Sequence, residues 1–320
     1  NFEPGTSRWA VRRAQWRALG LTDADMEKPK IAVVNTSSEL SSCFSHLDGV
    51  AAAIKQSIRD AGGLPFEVRT AAPSDFITSA GARGGYILPS RDLIANDIEV
   101  AVEGALLDGM VCLASCDKTT PGQLMAAARL DLPTLVVVCG YQRSGHHMQQ
   151  HVDIEEVFLA AGHVAAGRMD PAELTAMSEQ AVRGPGVCAG IGTANSMHMV
   201  CEALGMALPG SAPVAANSPR MMATVEQAGA RIVQMVWDDL RPRAILTPEA
   251  FANAARVVLA LGGSINTIKH LQAIANEAQA GVDVYGLFER LADTTPLIAA
   301  IRPNGDHSIE EIGRASCRER

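Results

Sequence analysis

Between residues 30 and 139 the chain alternates short apolar runs with helix-like stretches, and this alternation restricts the fold more than any other feature. Lys30-Ile31-Ala32-Val33-Val34-Asn35 and segments 66–70, 110–114 and 134–139 read as buried strands, being short, apolar and bounded by polar or glycine-containing stretches. Segments 9–19, 48–60 and 90–107 read as helices; Gly62-Gly63 stops the second and Ser90 is a candidate N-cap for the third. Strands alternating with helices predict an α/β fold, a parallel sheet flanked by helices with right-handed crossovers. From Asp153 onward, segments 154–167, 171–182, 194–206, 219–237, 248–261 and 265–278 predict a helix-rich second half.

The third apolar run ends abruptly in Cys116-Asp117-Lys118-Thr119-Thr120-Pro121-Gly122. Pro121 and Gly122 are expected to turn the chain into the Ala- and Leu-rich segment 123–130. Loops that follow strands in parallel sheets line the ligand crevice. A soft thiol beside a hard carboxylate suggests two metal centres sharing one wall. Cys43, in the polar loop 36–46, and Cys188, in the glycine-rich loop 184–193, sit in similar settings before helices. Three thiolates from separate loops can hold an iron–sulfur cluster and leave one iron position open, as a catalytic metal requires. On spacing alone the commoner case is that they are ordinary small buried residues. Cys112 and Cys139 in strands, and Cys201 mid-helix, read as core.

Asp75, in loop 73–85, joins Asp117 and Lys118 in a second set. Carboxylates suit Mg²⁺, and a lysine becomes an oxygen ligand only if it is carbamylated. The alternative is a surface Asp–Lys pair of little consequence. His147 and His151 have the i, i+4 spacing of helical metal ligands, but segment 146–151, which follows Gly140 to Gly145, is polar and reads as a solvated loop.

A net charge of −8 and 4% aromatic residues argue against a nucleic-acid partner. No apolar run approaches the roughly 20 residues that cross a bilayer, and the first residues lack the apolar core of a signal peptide. Seven cysteines without regular short spacings fit a reducing, cytoplasmic setting. Residues 312–320 read as translated sequencing-adapter sequence and are set apart, Cys317 included.

Cys116 to Gly122, then Cys188 with Gly192-Thr193-Ala194-Asn195-Ser196-Met197, closely resemble the two signature motifs of the dihydroxy-acid and phosphogluconate dehydratase family. Asn35-Thr36 through Glu39, Cys43, His46, Leu88-Pro89-Ser90-Arg91 and Gly262-Gly263-Ser264 with Asn266 match as well. The resemblance implies that Cys43, Cys116 and Cys188 are cluster ligands. Four-iron members can lack a Cys at the Cys43 place, so a 2Fe-2S cluster is implied over 4Fe-4S. It implies that Asp75, Asp117 and carbamylated Lys118 bind Mg²⁺. The implied activity is that of a hydro-lyase turning a 2,3-dihydroxy carboxylate into a 2-keto acid, in branched-chain amino-acid biosynthesis or sugar-acid metabolism. It also implies a homodimer when full length. In the family the general-base serine and a Mg²⁺ glutamate lie in a C-terminal β-barrel-like domain. That domain is expected to be missing here, so residues 1–311 form a truncated N-terminal domain, inactive alone. Phe76 departs from the usual glycine and Ile265 from the usual threonine. The 119–124 and 35–39 segments lean toward sugar-acid enzymes, and 88–91 toward the branched-chain ones. Two other readings stand beside this one: a sugar-phosphate-binding domain with its anion at Gly190 to Thr193, and a structural or redox-sensing iron–sulfur protein, which needs a fourth ligand.

Overall fold

The computed structural model describes residues 2–78 and 84–312. The first half runs α1 (Ser7–Ala18), α2 (Asp23–Glu27), β1 (Lys30–Asn35), α3 (Leu47–Asp60), β2 (Leu64–Arg69), α4 (Asp75–Thr78), α5 (Ile87–Gly104), β3 (Gly109–Ala114), α6 (Thr119–Leu130) and β4 (Thr134–Val138). A hairpin follows, β5 (Gly145–His147) and β6 (Gln150–Val152). Helices complete the chain: α7 (Ile154–Ala165), α8 (Pro171–Ala181), α9 (Thr193–Ala203), α10 (Pro219–Trp237), α11 (Pro242–Ile245), α12 (Pro248–Ala260), α13 (Asn266–Glu277) and α14 (Val284–Ala292).

The expected α/β architecture is present. Four parallel strands lie in the order β2-β1-β3-β4. Every residue of β1, β3 and β4 is buried, because helices cover both faces of the sheet. Leu47, Val50, Ala51, Ile54 and Ile58 form one buried stripe on α3 at helical spacing. That stripe packs on the sheet, and α10 packs on α3 and on β3 and β4. Helices α5 and α6 pack against each other, with contacts to β2 and β3, and α13 continues the layer beyond α6.

Four local expectations need correction. Ser90 is not an N-cap; α5 starts at Ile87, and the buried Ser90 hydroxyl donates to the Ile87 carbonyl at 2.5 Å. Leu106, at φ 51°, lies just past the end of α5 at Gly104, short of the 107 expected. Pro121 and Gly122 do not turn the chain but lie in the first turns of α6, which begins at Thr119. A proline is tolerated there because the N–H it lacks has no intrahelical partner. The reason for Gly122 is close approach: a Cβ there would stand 2.7 Å from the Arg91 carbonyl and 3.0 Å from Ile94 Cγ2. Gly122→Ala is therefore expected to push α5 and α6 apart and destabilise the protein by about 1–3 kcal/mol. The readout is a lower urea midpoint at unchanged slope. The expected loop 73–85 contains α4, and its residues 79–83 lie outside the described residues, as do the set-aside residues from 313 on.

The fourth correction concerns the histidines. Segment 145–152 is a hairpin in which His146 pairs with His151, turned by Met148 and Gln149 at φ 47° and 66°. His147 and His151 therefore do not share a helix face.

Candidate metal centre

The strand order reverses between β1 and β3: the chain first steps outward from β1 to β2, then returns to β3 and on to β4. Loops leaving the C-terminal ends of strands at such a point diverge and open a crevice. The loop after β1 carries Cys43, and the loop after β3 carries Cys116, Asp117 and Lys118. The chain leaving β2 leads to Asp75, the first residue of α4. Loop 184–192 delivers Cys188 just before α9, and the Gly186 N–H fastens it to the Ser42 carbonyl at 3.1 Å.

Short polar side chains hold these loops in place. Ser115 Oγ donates to the Cys43 carbonyl at 2.7 Å, and Thr119 Oγ1 to the Cys116 carbonyl at 3.1 Å. Asn195 Nδ2 donates to the carbonyls of Cys188 (2.6 Å) and Gly190 (2.7 Å). His198 Nε2 donates to the Ser115 carbonyl at 2.9 Å; full burial keeps this ring neutral, its pKa pushed down to about 4. Buried loop backbone needs such partners, since water cannot supply them.

The three predicted thiols converge. Cys116 and Cys188 both lie close enough to the sulfur of Cys43 to interact with it. Those neighbouring thiols hold Cys43 far below the usual thiol range, and the same interaction together with burial pushes Cys116 and Cys188 well above it. Among the described residues, the set of three ligand atoms found within 4.8 Å of one another is His151, Asp153 and Glu156, so the three sulfurs spread wider than that. Three thiols from separate loops are the kind of soft donors an iron–sulfur cluster takes. Cys112, Cys139 and Cys201 are fully buried in the core, and burial raises their thiols, that of Cys112 to about 12.

The carboxylates stand beside the thiols. Lys118 Nζ donates to Asp75 Oδ2 at 3.1 Å and lies 3.6 Å from Asp117 Oδ2. Burial, then the neighbouring Asp75, raise Asp117 to about 6, while Lys118 and a hydrogen bond from Thr193 oppose the rise. Asp75 Oδ1 is buried with no hydrogen-bond partner. Two crowded carboxylates and an orphaned buried oxygen are a donor set short of positive charge, which a hard dication would supply. Lys118, 3% exposed, lies between them. The residues thus fit both expected groups.

The set His151, Asp153 and Glu156 has another use. Asp153 caps α7, accepting from the N–H groups of Glu155 (2.8 Å) and Glu156 (3.3 Å), while Glu156 Oε2 accepts from Asp153 N at 2.9 Å. Arg302 fills the remaining side of Glu156. Those atoms are engaged in a capping box and an ion pair.

Other contributors carried no assigned role in the sequence. Thr193 Oγ1 lies 2.9 Å from Ser264 Oγ and accepts from Asn266 Nδ2 at 3.0 Å, tying the start of α13 to the start of α9. Glu155, read only as part of a helix, lies close enough to Cys188 and Asp117 to act on both electrostatically. Acidic residues are common at helix starts, so no local signal sets it apart. Phe76 stands edge-on to Phe158 at 6.1 Å, and Ile265 is 80% exposed.

Comparison with known proteins gives the family. A family described as dihydroxy-acid/6-phosphogluconate dehydratase N-terminal matches residues 28–316. The chain belongs to this dehydratase family. Among its relatives is a dihydroxy-acid dehydratase of Pyrococcus abyssi, 41% identical over 306 residues, covering 96% of this chain and 55% of the relative. One of Methanococcoides burtonii is 41% identical over 315 residues, 98% of this chain and 57% of the relative. One of Methanothermobacter thermautotrophicus is 42% identical over 315 residues, 97% and 57%. The chain thus spans about half the length of the curated dehydratases it matches. Among the described residues no helix is long and apolar enough to cross a membrane.

Proposed function

We propose that this chain supplies the metal-binding half of a hydro-lyase that dehydrates a 2,3-dihydroxy carboxylic acid to a 2-keto acid. The observation that carries the reading is the meeting of Cys43, Cys116 and Cys188 at the sheet's switch point, beside Asp75, Asp117 and Lys118. The thiols would hold a 2Fe-2S cluster. The two carboxylates and a carbamylated Lys118 would hold Mg²⁺. When bound, these groups supply Lewis acidity toward the leaving C3 hydroxyl and the C2 oxygen, because hydroxide is a poor leaving group.

The chain's own residues orient and enclose. Ser115, Thr119 and Asn195 fix the carbonyls next to the three thiols, so the site is organised before substrate arrives. Burial of Cys116 and Lys118, with Asp117 partly covered, limits water at the reacting centre. The base that takes the C2 proton is assigned to the part of the relatives that this chain does not span, and the whole protein is assigned as a homodimer. A phosphate anchored at Gly190 to Thr193 is disfavoured, because the Glu155 carboxylate lies over that helix start. A redox-sensing cluster with a fourth thiol is disfavoured as well, since Cys112, Cys139 and Cys201 lie in the core.

The test is anaerobic purification of the full gene product, with its visible spectrum, iron and sulfide content, and assays on an aldonate and a branched-chain dihydroxy acid. A coloured protein with about two irons and two sulfides per chain, active on one of these acids, is the expected result. A colourless, iron-free protein that is inactive on both sinks the reading.

A further inference from the structure

The Glu155 carboxylate is the unusual feature of the crevice. It extends from the first turn of α7 over the backbone between Cys188 and α9. A Cβ on Gly190 would stand 2.9 Å from Glu155 Oε2, and one on Gly192 would stand 3.4 Å from Oε1. Gly190 thus leaves the space this side chain occupies, while a Cβ on Gly192 would only touch it. The carboxylate is half-buried, yet it has no hydrogen-bond or ion-pair partner among the described residues. Asp153 is used in capping, and Arg302 pairs with Glu156 instead. Its charged neighbours Asp153, Glu156 and Asp117 are all acidic, and with burial they raise it to about 7. Neither oxygen is among the buried atoms left without a partner, so water reaches the carboxylate; a ligand entering the crevice displaces that water and must offer donors in its place.

Helix α13 adds a second polar group. Asn266 and Lys269 are one turn apart and so share a face. Asn266 bonds Thr193, and Lys269 is near enough to Asp75 and Asp117 to feel their charge. Among the described residues Lys269 has no carboxylate within 4 Å. An aliphatic substrate tail would leave both Glu155 and Lys269 without partners, whereas a chain of hydroxyls would satisfy them.

We propose that Glu155 is a specificity-determining residue whose carboxylate accepts hydrogen bonds from substrate hydroxyls beyond C3, selecting polyhydroxylated acids over aliphatic-tailed ones. This rests on the dehydratase reading above and adds the substrate class. It involves no covalent step.

The test uses the cluster- and Mg²⁺-loaded full gene product, a five-carbon aldonate, and 2,3-dihydroxy-3-methylbutanoate. Glu155→Ala is expected to lower kcat/KM for the aldonate by about 10–100-fold, the range for losing a hydrogen bond to a charged group. The value for the aliphatic acid is expected to stay within about threefold. Glu155→Gln, which keeps an acceptor, is expected to retain most of the aldonate activity. Calorimetric binding of a 3-deoxyaldonate, which lacks the leaving hydroxyl, is expected to weaken in parallel, with unchanged visible spectrum and Mg²⁺ affinity. Equal losses on both acids, or lower iron or Mg²⁺ content, would make Glu155 a metal ligand or scaffold residue and overturn the proposal. So would unchanged kinetics in Glu155→Ala. A wild-type enzyme active only on the aliphatic acid overturns this inference and leaves the dehydratase reading standing; a colourless protein inactive on both takes the two together.

Discussion

Cys116→Ser is expected to remove the visible absorbance of the anaerobically purified protein and to lower dehydratase activity of the full gene product by roughly 10³-fold or more, beyond the 10–100-fold that outer-shell partners of metal sites cost. Cys116 is 3% exposed, its sulfur lies beside that of Cys43, and its carbonyl accepts from Thr119. Serine keeps the size and the backbone bonds, so far-UV circular dichroism should be unchanged. What it removes is a soft anionic ligand, and a hydroxyl at neutral pH does not replace a thiolate on iron. Cys201→Ala is the control. Cys201 is also fully buried, but it packs mid-helix in the core, so its loss is expected to lower stability modestly and leave the colour intact. If Cys116→Ser kept full colour and iron content, the three thiols would not be the cluster's ligands.

Asp117→Asn is expected to change stability and function in opposite directions. Asp117 is raised in the fold from 3.8 to about 6, by burial first and Asp75 second. A carboxyl raised on folding stabilises the protein below its unfolded value, and that contribution is lost as pH rises through the folded one. Above pH 6 the ionised group is therefore a cost to the metal-free protein. The amide removes that cost, so metal-free Asp117→Asn is expected to be more stable than wild type at pH 8 by about 1–3 kcal/mol, and similar to it near pH 4. Lys118 keeps its closer partner Asp75. With Mg²⁺ the order should reverse: wild type gains stability with the ion and the variant gains little. Activity of the full gene product should fall by at least about 100-fold. Urea midpoints at pH 4 and pH 8, with and without Mg²⁺, check every part. A variant less stable than wild type at pH 8 without metal would mean that Asp117 serves the fold and not a cation.

Much of this molecule was legible in the sequence. The strands β1, β3 and β4 announced themselves as short apolar runs, because a strand buried on both faces has no polar side to show. Helix α10 was readable to its ends, since Ser218 caps it and Pro219 occupies its first position. Resemblance and residue chemistry named Cys43, Asp75, Cys116, Asp117, Lys118 and Cys188 as candidates for a metal site. Other positions misled because local signals have two meanings. Ser90 looks like a cap but sits inside a helix, and Pro121-Gly122 looks like a turn but is a first helical turn pressed against α5. His147 and His151 are at helical spacing on a hairpin.

The sequence by itself determined where strands and helices form and which residues bear thiols and carboxylates, because periodicity and side-chain chemistry act over a few residues. Only the tertiary structure decided that β1 and β3 are neighbours at the reversal of strand order, and so that loops far apart in the chain bring three sulfurs together beside two carboxylates and a lysine. It alone placed the Glu155 carboxylate over Gly190 and Gly192. Such meetings follow from how whole layers pack, a balance of burial summed over the sheet and its helices, and no single stretch of chain carries that information.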